Sequence, residues 1–263
     1  MSPPRKLIVL LPVFNEELGI GNLLDRIRAL EVDGFELTVV AGDDGSRDGT
    51  AQILARYTGA MPLQVITHPM NRGLGETVRD LFERAAALVD DDDVVVRLDA
   101  DDTHDPAVIP AMIARIDEGA DVVVASRFSD GGGQLGVYGT RRFLSSWANL
   151  LMKLVFPIPG LREYTCGFRA YRGSTLRRAI DVFGNDFIQL KGLGFTSTLE
   201  KLVKLRLLGA RFEEVPFVLR YDLKASESKM LTNITTLGYL VMTVMYYWPS
   251  RGWRTTYRQA SRR

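Results

Sequence analysis

The 263-residue sequence holds one cysteine, Cys166, which excludes an intramolecular disulfide and any metal site built from several thiolates. An excess of charge is equally missing. Lys and Arg number 33 against 32 Asp and Glu, a net charge of +1. With no basic stripe along the chain, nucleic acid is not an expected partner. A Gly-x-x-x-x-Gly-Lys-Ser/Thr run is absent, which argues against phosphoryl transfer by a P-loop enzyme. The C-terminal apolar run ITTLGYLVMTVMYYW, residues 234–248, is broken by Thr and Gly and falls short of the ~20 residues that a spanning helix needs. Met1-Ser2-Pro3-Pro4-Arg5-Lys6 leads into a strand-like run instead of a secretory signal, so an intracellular, cytoplasmic protein is expected.

What is present is an ordinary globular composition, 46% apolar and 25% charged, in a chain long enough to bury a core. No repeat and no linker rich in Pro, Gly or Ser interrupts it. The expected layout is a catalytic domain over residues 1–230 followed by a C-terminal helix and basic tail over 231–263. Short apolar runs at 7–11, 37–41, 63–67, 94–98 and 121–125 read as buried strands. Helical periodicity falls between them at 17–30, 48–57 (with Asp48 as N-cap), 75–88 and 107–118. This alternation predicts right-handed βαβ crossovers and a mostly parallel sheet flanked by helices. Further on, 141–156 reads as an amphipathic helix, 196–208 as a helix and 212–219 as a strand.

The C-terminal run is followed by Arg251, Arg254, Arg258, Arg262 and Arg263, with Tyr246, Tyr247, Trp248 and Trp253 at the junction. An apolar helix, an aromatic band and a basic tail suit an anionic membrane surface. The other reading is a helix packed on its own domain or on a second copy of the chain.

Asp99-Ala100-Asp101 directly follows the fourth strand. Residues i and i+2 of an extended segment face the same way, so both carboxylates project together from the strand end. Such a pair suits a hard divalent cation that also carries substrate phosphates. Three other loops converge on the same edge: Pro12-Val13-Phe14-Asn15-Glu16, Asp43-Asp44-Gly45-Ser46 and Asn71-Arg72-Gly73-Leu74-Gly75. They offer carboxylates for base or ribose, glycines for close backbone approach and an aromatic for stacking.

The succession LLPVFNEE, AGDDGSRDGT, HPMNRGLGETV and LDADDTHDP resembles family 2 glycosyltransferases with the GT-A nucleotide-sugar-binding fold. ASRFSDGG, TRRFLSSWANLL, TCGFRAYR and SESKM narrow the resemblance to the branch containing dolichol- and polyprenyl-phosphate mannose synthase. It covers residues 7–230. The resemblance implies an inverting, metal-dependent transferase that moves a sugar, mannose from GDP-mannose foremost, to a polyprenyl phosphate. The alternatives are a UDP-sugar with an alcohol acceptor, or a catalytically weak nucleotide-binding homologue. It further implies that Pro12, Phe14 (where the family usually has Tyr), Glu16, Ala100 and Gly73 line the nucleotide pocket. Asp43 would meet base or ribose, unless the Asp43-Asp44 pair only orients its loop. Asp99 and Asp101 would hold Mg²⁺ or Mn²⁺, with Thr103 where the branch commonly has a Gln ligand. Arg127, Arg141, Ser145 and Lys229 would hold the acceptor phosphate. Ser226 replaces the Gly that opens the lysine's segment, and Leu223 replaces an arginine, whose charge Arg220 or Lys224 would supply. Gly167-Phe168-Arg169 is either part of the site or a packing turn. Asp186 and Glu200 are the candidate bases if the acceptor is an alcohol. Peripheral attachment to the cytoplasmic membrane face, and a homo-oligomer formed through the C-terminal helix, complete the expectations.

Overall fold

The computed structural model describes residues 3–137, 139–224 and 232–246, the side chains of residues 140–144 and 232–233 excepted. The first half alternates as the periodicity predicts: β1 (Arg5–Val13), α1 (Ile20–Arg28), β2 (Phe35–Asp43), α2 (Thr50–Thr58), β3 (Leu63–Thr67), α3 (Leu74–Ala86), β4 (Val94–Arg97), α4 (Ile109–Asp117) and β5 (Val122–Ser126). The second half contains β6 (Gly133–Leu135), α5 (Gly139–Val155), β7 (Arg169–Arg172), α6 (Gly173–Phe183), α7 (Thr196–Leu207), β8 (Phe212–Pro216), β9 (Val218–Arg220) and α8 (Thr232–Tyr246).

Seven strands form one sheet in the order β3-β2-β1-β4-β7-β5-β8. All neighbours are parallel except β7, which runs antiparallel between β4 and β5. The run 212–219, expected as one strand, divides at Pro216: β8 joins the main sheet, whereas β9 pairs with β6 in a separate ribbon. β7 and α6 were not anticipated. Both ends of β7 are arginine, and so short a polar-ended segment gives no apolar run to read.

The pleat sorts side chains into two cores. Along β1, Leu7, Val9, Leu11 and Val13 pack with Leu23, Leu24 and Ile27 of α1 and Met112, Ile113 and Ile116 of α4. Ile8 and Leu10 face the other way, onto Val78, Leu81 and Phe82 of α3, with Leu176 of α6 and Leu199 and Leu202 of α7. Each fully buried aliphatic side chain contributes roughly 1.5–3 kcal/mol, so a period-2 strand between two helical layers locks its own register. Helix α8 docks on α7 through Met242 and Tyr246, which enter the second of these cores. Among the described residues no helix is long and apolar enough to cross a membrane.

Candidate functional site

Parallel β1, β2, β4 and β5 deliver their following loops to one edge of the sheet, where open α/β sheets bind ligands. Antiparallel β7 starts at that edge, which brings residues 163–168 among them. The loop after β1 is stitched to the loop after β2. Asn15, in the left-handed region at φ 50°, donates its backbone N–H to Ser46 Oγ at 2.9 Å, and its Oδ1 accepts from Arg47 N–H at 2.8 Å. Glu16 N–H donates to Thr50 Oγ1 at 2.8 Å. Pro12 and Glu16 are buried and Phe14 is half-buried. The same loop reaches the carboxylate pair, because a Cβ at Gly19 would lie 3.4 Å from the carbonyl carbon of Asp101.

The acidic pair divides its labour. Asp43 Oδ1, at the end of β2, accepts from Ser46 N–H at 3.0 Å. Asp44 is the loop organiser: it accepts from the N–H groups of Arg72 (2.9 Å) and Gly73 (2.8 Å) and meets His68 Nδ1 at 2.8 Å. The other ring nitrogen of buried His68 meets Asp80 at 3.0 Å. His68 went unread in the sequence because its partners lie 24 and 12 residues away. Gly73, at φ 94°, opens α3. At Gly45, φ is 71° and a Cβ would stand 2.6 Å from the carbonyl carbon of Met70, so only glycine fits.

Asp99 and Asp101 each carry their own cation. Asp99 Oδ1 is 2.5 Å from Nη2 of Arg97, which is 2% exposed. Its backbone N–H donates to His104 Nδ1 at 3.0 Å. His104 is stacked on Phe168 at 5.3 Å. Burial lowers the pKa of its ring, against the pull of Asp99 and Asp101. With Nδ1 accepting, the neutral ring carries its proton on Nε2, 3.6 Å from Asp99 Oδ2. His104 therefore orients Asp99. Asp101 Oδ1 accepts from the Thr103 hydroxyl at 2.7 Å and more weakly from Thr103 N–H at 3.3 Å. Asp101 Oδ2 is paired with the ammonium of Lys224. Burial works to raise the Asp101 carboxyl, but Lys224, His104 and Thr103 together hold it below the usual carboxylate range. Between them Ala100 is buried. Asp102 takes the left-handed φ of 60° and is fixed by Asn22 and by Arg26 at 2.7 Å.

Arg127 follows β5 and lies close enough to act on the His104 ring. Its Nε and Nη2 donate to Glu163 at 2.7 and 2.9 Å, Nη2 also donates to Thr165 at 2.7 Å, and Nη1 approaches Ser145 Oγ at 3.5 Å. Glu163 is completely buried. Burial pushes its carboxyl up, yet Arg127 and Thr165 hold it below the ordinary value. The structure thus brings Arg127 and Ser145 together. Arg220 is turned outward onto Asp222 at 2.9 Å, and it is Lys224 that reaches the carboxylates. Arg141 lies in α5, but its side chain is outside the described residues, as are Ser226, Lys229, Tyr247, Trp248, Trp253 and the basic tail. Gly167-Phe168-Arg169 serves packing: a Cβ on Gly167 would strike Arg97 Nη1 at 1.6 Å, and Arg169 is completely buried. Glu200 is no base. It is fully buried and accepts from Lys204 Nζ at 2.7 Å, Tyr246 OH at 2.5 Å and Leu190 N–H at 2.9 Å.

Residues 8–181 match the model of Glycosyl transferase family 2. The chain belongs to that family. It is 31% identical over 249 residues to an undecaprenyl-phosphate mannosyltransferase of Micrococcus luteus, covering 94% of this chain and 96% of the relative. It is 29% identical to a dolichol-phosphate mannosyltransferase of Pyrococcus furiosus over 89% of this chain and 62% of the relative. A polyprenol monophosphomannose synthase of Mycolicibacterium smegmatis is 30% identical over 68% of this chain and 66% of its own length. The chain thus spans just under two thirds of the last two relatives and nearly all of the first. Among solved structures, glucosyl-3-phosphoglycerate synthase from Mycobacterium tuberculosis, in complex with Mn²⁺, UDP and glucosyl-3-phosphoglycerate, superposes with a TM-score of 0.59 at 18% identity. That match covers 92% of this chain and 79% of the other. S. aureus TarS residues 1–349 give the same TM-score at 19% identity, with 97% and 70% covered. At these identities the likeness establishes the fold, an α/β GT-A glycosyltransferase architecture.

Proposed function

We propose that this family 2 glycosyltransferase moves a sugar, mannose from GDP-mannose foremost, onto the phosphate of a polyprenyl phosphate, with inversion at the anomeric carbon. The observation that carries the reading is the arrangement along one sheet edge. A carboxylate pair after β4 and the half-buried Arg127 after β5 stand at the same edge of the sheet. Pro12, Phe14, Glu16, Asp43 and Gly73 line the side where the nucleotide would lie. Their carboxylates offer acceptors to base N–H and ribose hydroxyl groups.

Asp99, Asp101 and the Thr103 hydroxyl are hard oxygen donors suited to Mg²⁺ or Mn²⁺. Among the described residues no three His, Cys, Asp or Glu side chains gather as a ready cage. That fits an ion that takes its other ligands from donor phosphates and water. Bound there, such an ion supplies charge stabilisation to the departing diphosphate. The protein's own part is positional. His104 and Arg97 fix Asp99, and Thr103 fixes Asp101. Arg127, held rigid by Glu163, presents Nη1 beside Ser145 to an anionic acceptor, with Arg141 and Lys229 as further cations. A phosphate monoester has a second pKa near ~6 and is already largely dianionic at neutral pH. It therefore needs cations and alignment for in-line attack, not a general base. The structural employment of Glu200 agrees with that.

A lipid acceptor also accounts for exposed apolar side chains: Trp147, Leu150, Leu151 and Leu154 on α5, and Ile234, Leu237, Leu240 and Val244 on α8. We assign these faces, together with the basic tail, to peripheral attachment at the cytoplasmic membrane surface. The deciding experiment offers purified protein Mn²⁺, a short polyprenyl phosphate and, separately, GDP-mannose, GDP-glucose, UDP-glucose and UDP-N-acetylglucosamine. Transfer from GDP-mannose to a chloroform-extractable, acid-labile product is expected. Transfer only from a UDP-sugar, or none to lipid phosphate, overturns the proposal.

A further inference from the structure

The two carboxylates of the Asp99-Ala100-Asp101 segment are neutralised by cations of very different freedom. Arg97 is 2% exposed, extends from β4 into the core and is boxed against Gly167. It cannot withdraw from Asp99 without unpacking the sheet. Lys224 is anchored beyond the surface ribbon of β6 and β9, and its ammonium arrives at Asp101 on a flexible four-carbon stem. Backbone contacts hold that stem's base in place: Arg220 N–H donates to Thr103 O at 3.1 Å, and Lys224 N–H to Tyr221 O at 3.3 Å. Glu16 also lies near enough to favour the charged ammonium. Partner accounting on Asp101 then leaves no idle oxygen. Oδ1 is taken by Thr103 and Oδ2 by Lys224.

A divalent cation entering this pair meets a resident positive charge on the very oxygen it needs, and like charges sharing one carboxylate repel. We propose that Lys224 is an exchangeable internal counter-ion of Asp101, displaced when a divalent cation binds the carboxylate pair. The inference rests on the reading of Asp99 and Asp101 as metal-binding residues. Lys224 thereby sets the affinity of the site for metal. It keeps Asp101 paired while no metal is bound, and on metal entry its ammonium is released from the carboxylate. Arg97 stays on Asp99 throughout, so only one of the two carboxylates exchanges its cation.

The test is Mn²⁺ binding to the full chain without nucleotide or lipid, read from the electron paramagnetic resonance signal of free Mn²⁺. Lys224→Met is expected to bind Mn²⁺ about tenfold more tightly than the wild type. In the wild type, acylation of Lys224 by an N-hydroxysuccinimide ester, quantified by peptide mass spectrometry, is expected to rise several-fold on adding Mn²⁺. Exposed Lys153 on α5 serves as the unaffected reference. Equal Mn²⁺ affinity in wild type and variant, or Lys224 acylation indifferent to Mn²⁺, overturns the inference alone. Absence of Mn²⁺ binding in both proteins overturns it together with the metal assignment. The labelling arm uses unaltered protein and remains decisive if the variant does not fold.

Discussion

The face of the sheet covered by α1, α2 and α4 packs Leu, Ile, Val and Met, whereas the face covered by α3, α6 and α7 also buries Arg97, Arg169, Lys201, Lys204 and Glu200. The strand pleat explains how one sheet carries both. Val94 and Val96 point to the first face, and Val95 and Arg97 to the second. Across the β4–β7 pair, Arg97 stands directly opposite Arg169, an arrangement of like charges that weakens a sheet. Local partners offset it: the Asp99 carboxylate is ion-paired with Arg97, and the carbonyls of Thr198 and Tyr164 accept from Arg169. Lys201 sits against both arginines. Burial first, and then their repulsion, push its pKa well below the usual lysine value, and its Nζ donates to Ser197 O at 3.0 Å. The first face stabilises mainly by area, with the buried His104 ring stacked on its Phe168. The other holds charge in fixed places directly behind the candidate site.

The largest effect expected from breaking this arrangement is on catalysis. Asp101→Ala removes half of the carboxylate pair and should lower sugar transfer by at least about 10³-fold, equivalent to about 4 kcal/mol at 1.36 kcal/mol per tenfold. Some thermal stability should be lost as well, because the variant leaves the Lys224 ammonium, on a side chain only 11% exposed, without its partner. Near-normal turnover in saturating Mn²⁺ would sink the assignment. Next in size is the charged face itself. Glu200→Gln leaves Lys204 without its counter-charge, and breaking a buried pair on one side costs about 3–5 kcal/mol. The double variant Glu200→Gln, Lys204→Met should recover most of that loss in urea denaturation. If both variants lose the same stability, the charged face is not behaving as a paired unit. Third, Leu24→Ala on the apolar face should cost about 2–5 kcal/mol through lost transfer energy and a cavity, with turnover per folded molecule unchanged. A large fall in turnover would mean that the two faces are not separable in function.

This contrast also explains what the sequence made legible. Apolar runs and 3.6-residue periodicity mark elements that stabilise by area, so β1 to β5 and α1 to α4 were readable to within a few residues. The α1 expectation of 17–30 was longer than the observed Ile20–Arg28, because residues 16–19 are drawn into the loop that meets Asp101. β7 was unreadable because two of its four residues are arginines, one of them wholly buried, and composition reads a buried arginine as surface. The α6 periodicity of Leu176, Ala179 and Phe183 was there to be found. The carboxylate pair and the converging loops could be picked out as motifs, and Arg127 with Ser145 came from the family resemblance. The organisers were not legible: His68 bridging Asp44 and Asp80, and Glu163 under Arg127, are contacts between distant stretches of chain with no spacing of their own, and Arg97, though only two residues before Asp99, reads in composition as a surface charge. The choice between Arg220 and Lys224 needed the β9 ribbon, which turns one outward onto Asp222 and the other inward onto Asp101.

The smallest expected effect concerns the outer side of the charged face, where α8 covers α7. Met242 and Tyr246 are buried there, while Leu237 and Leu240 are 53% and 59% exposed. One side of the helix is committed to the core and the other is open. Leu237→Gln with Leu240→Gln removes exposed apolar surface without touching Met242 or Tyr246, so the unfolding free energy should stay within about 0.5 kcal/mol of wild type. Co-sedimentation with vesicles containing anionic phospholipid should weaken several-fold, since interfacial binding scales with buried apolar area as well as with charge. Transfer to a short, water-soluble polyprenyl phosphate should be preserved, and transfer to a long-chain acceptor in vesicles should fall in step with binding. Unchanged co-sedimentation would move the membrane contact away from α8, to α5 or the basic tail. Lost thermal stability would show instead that these leucines pack against protein, and a second copy of the chain would then be the partner to seek by sedimentation equilibrium.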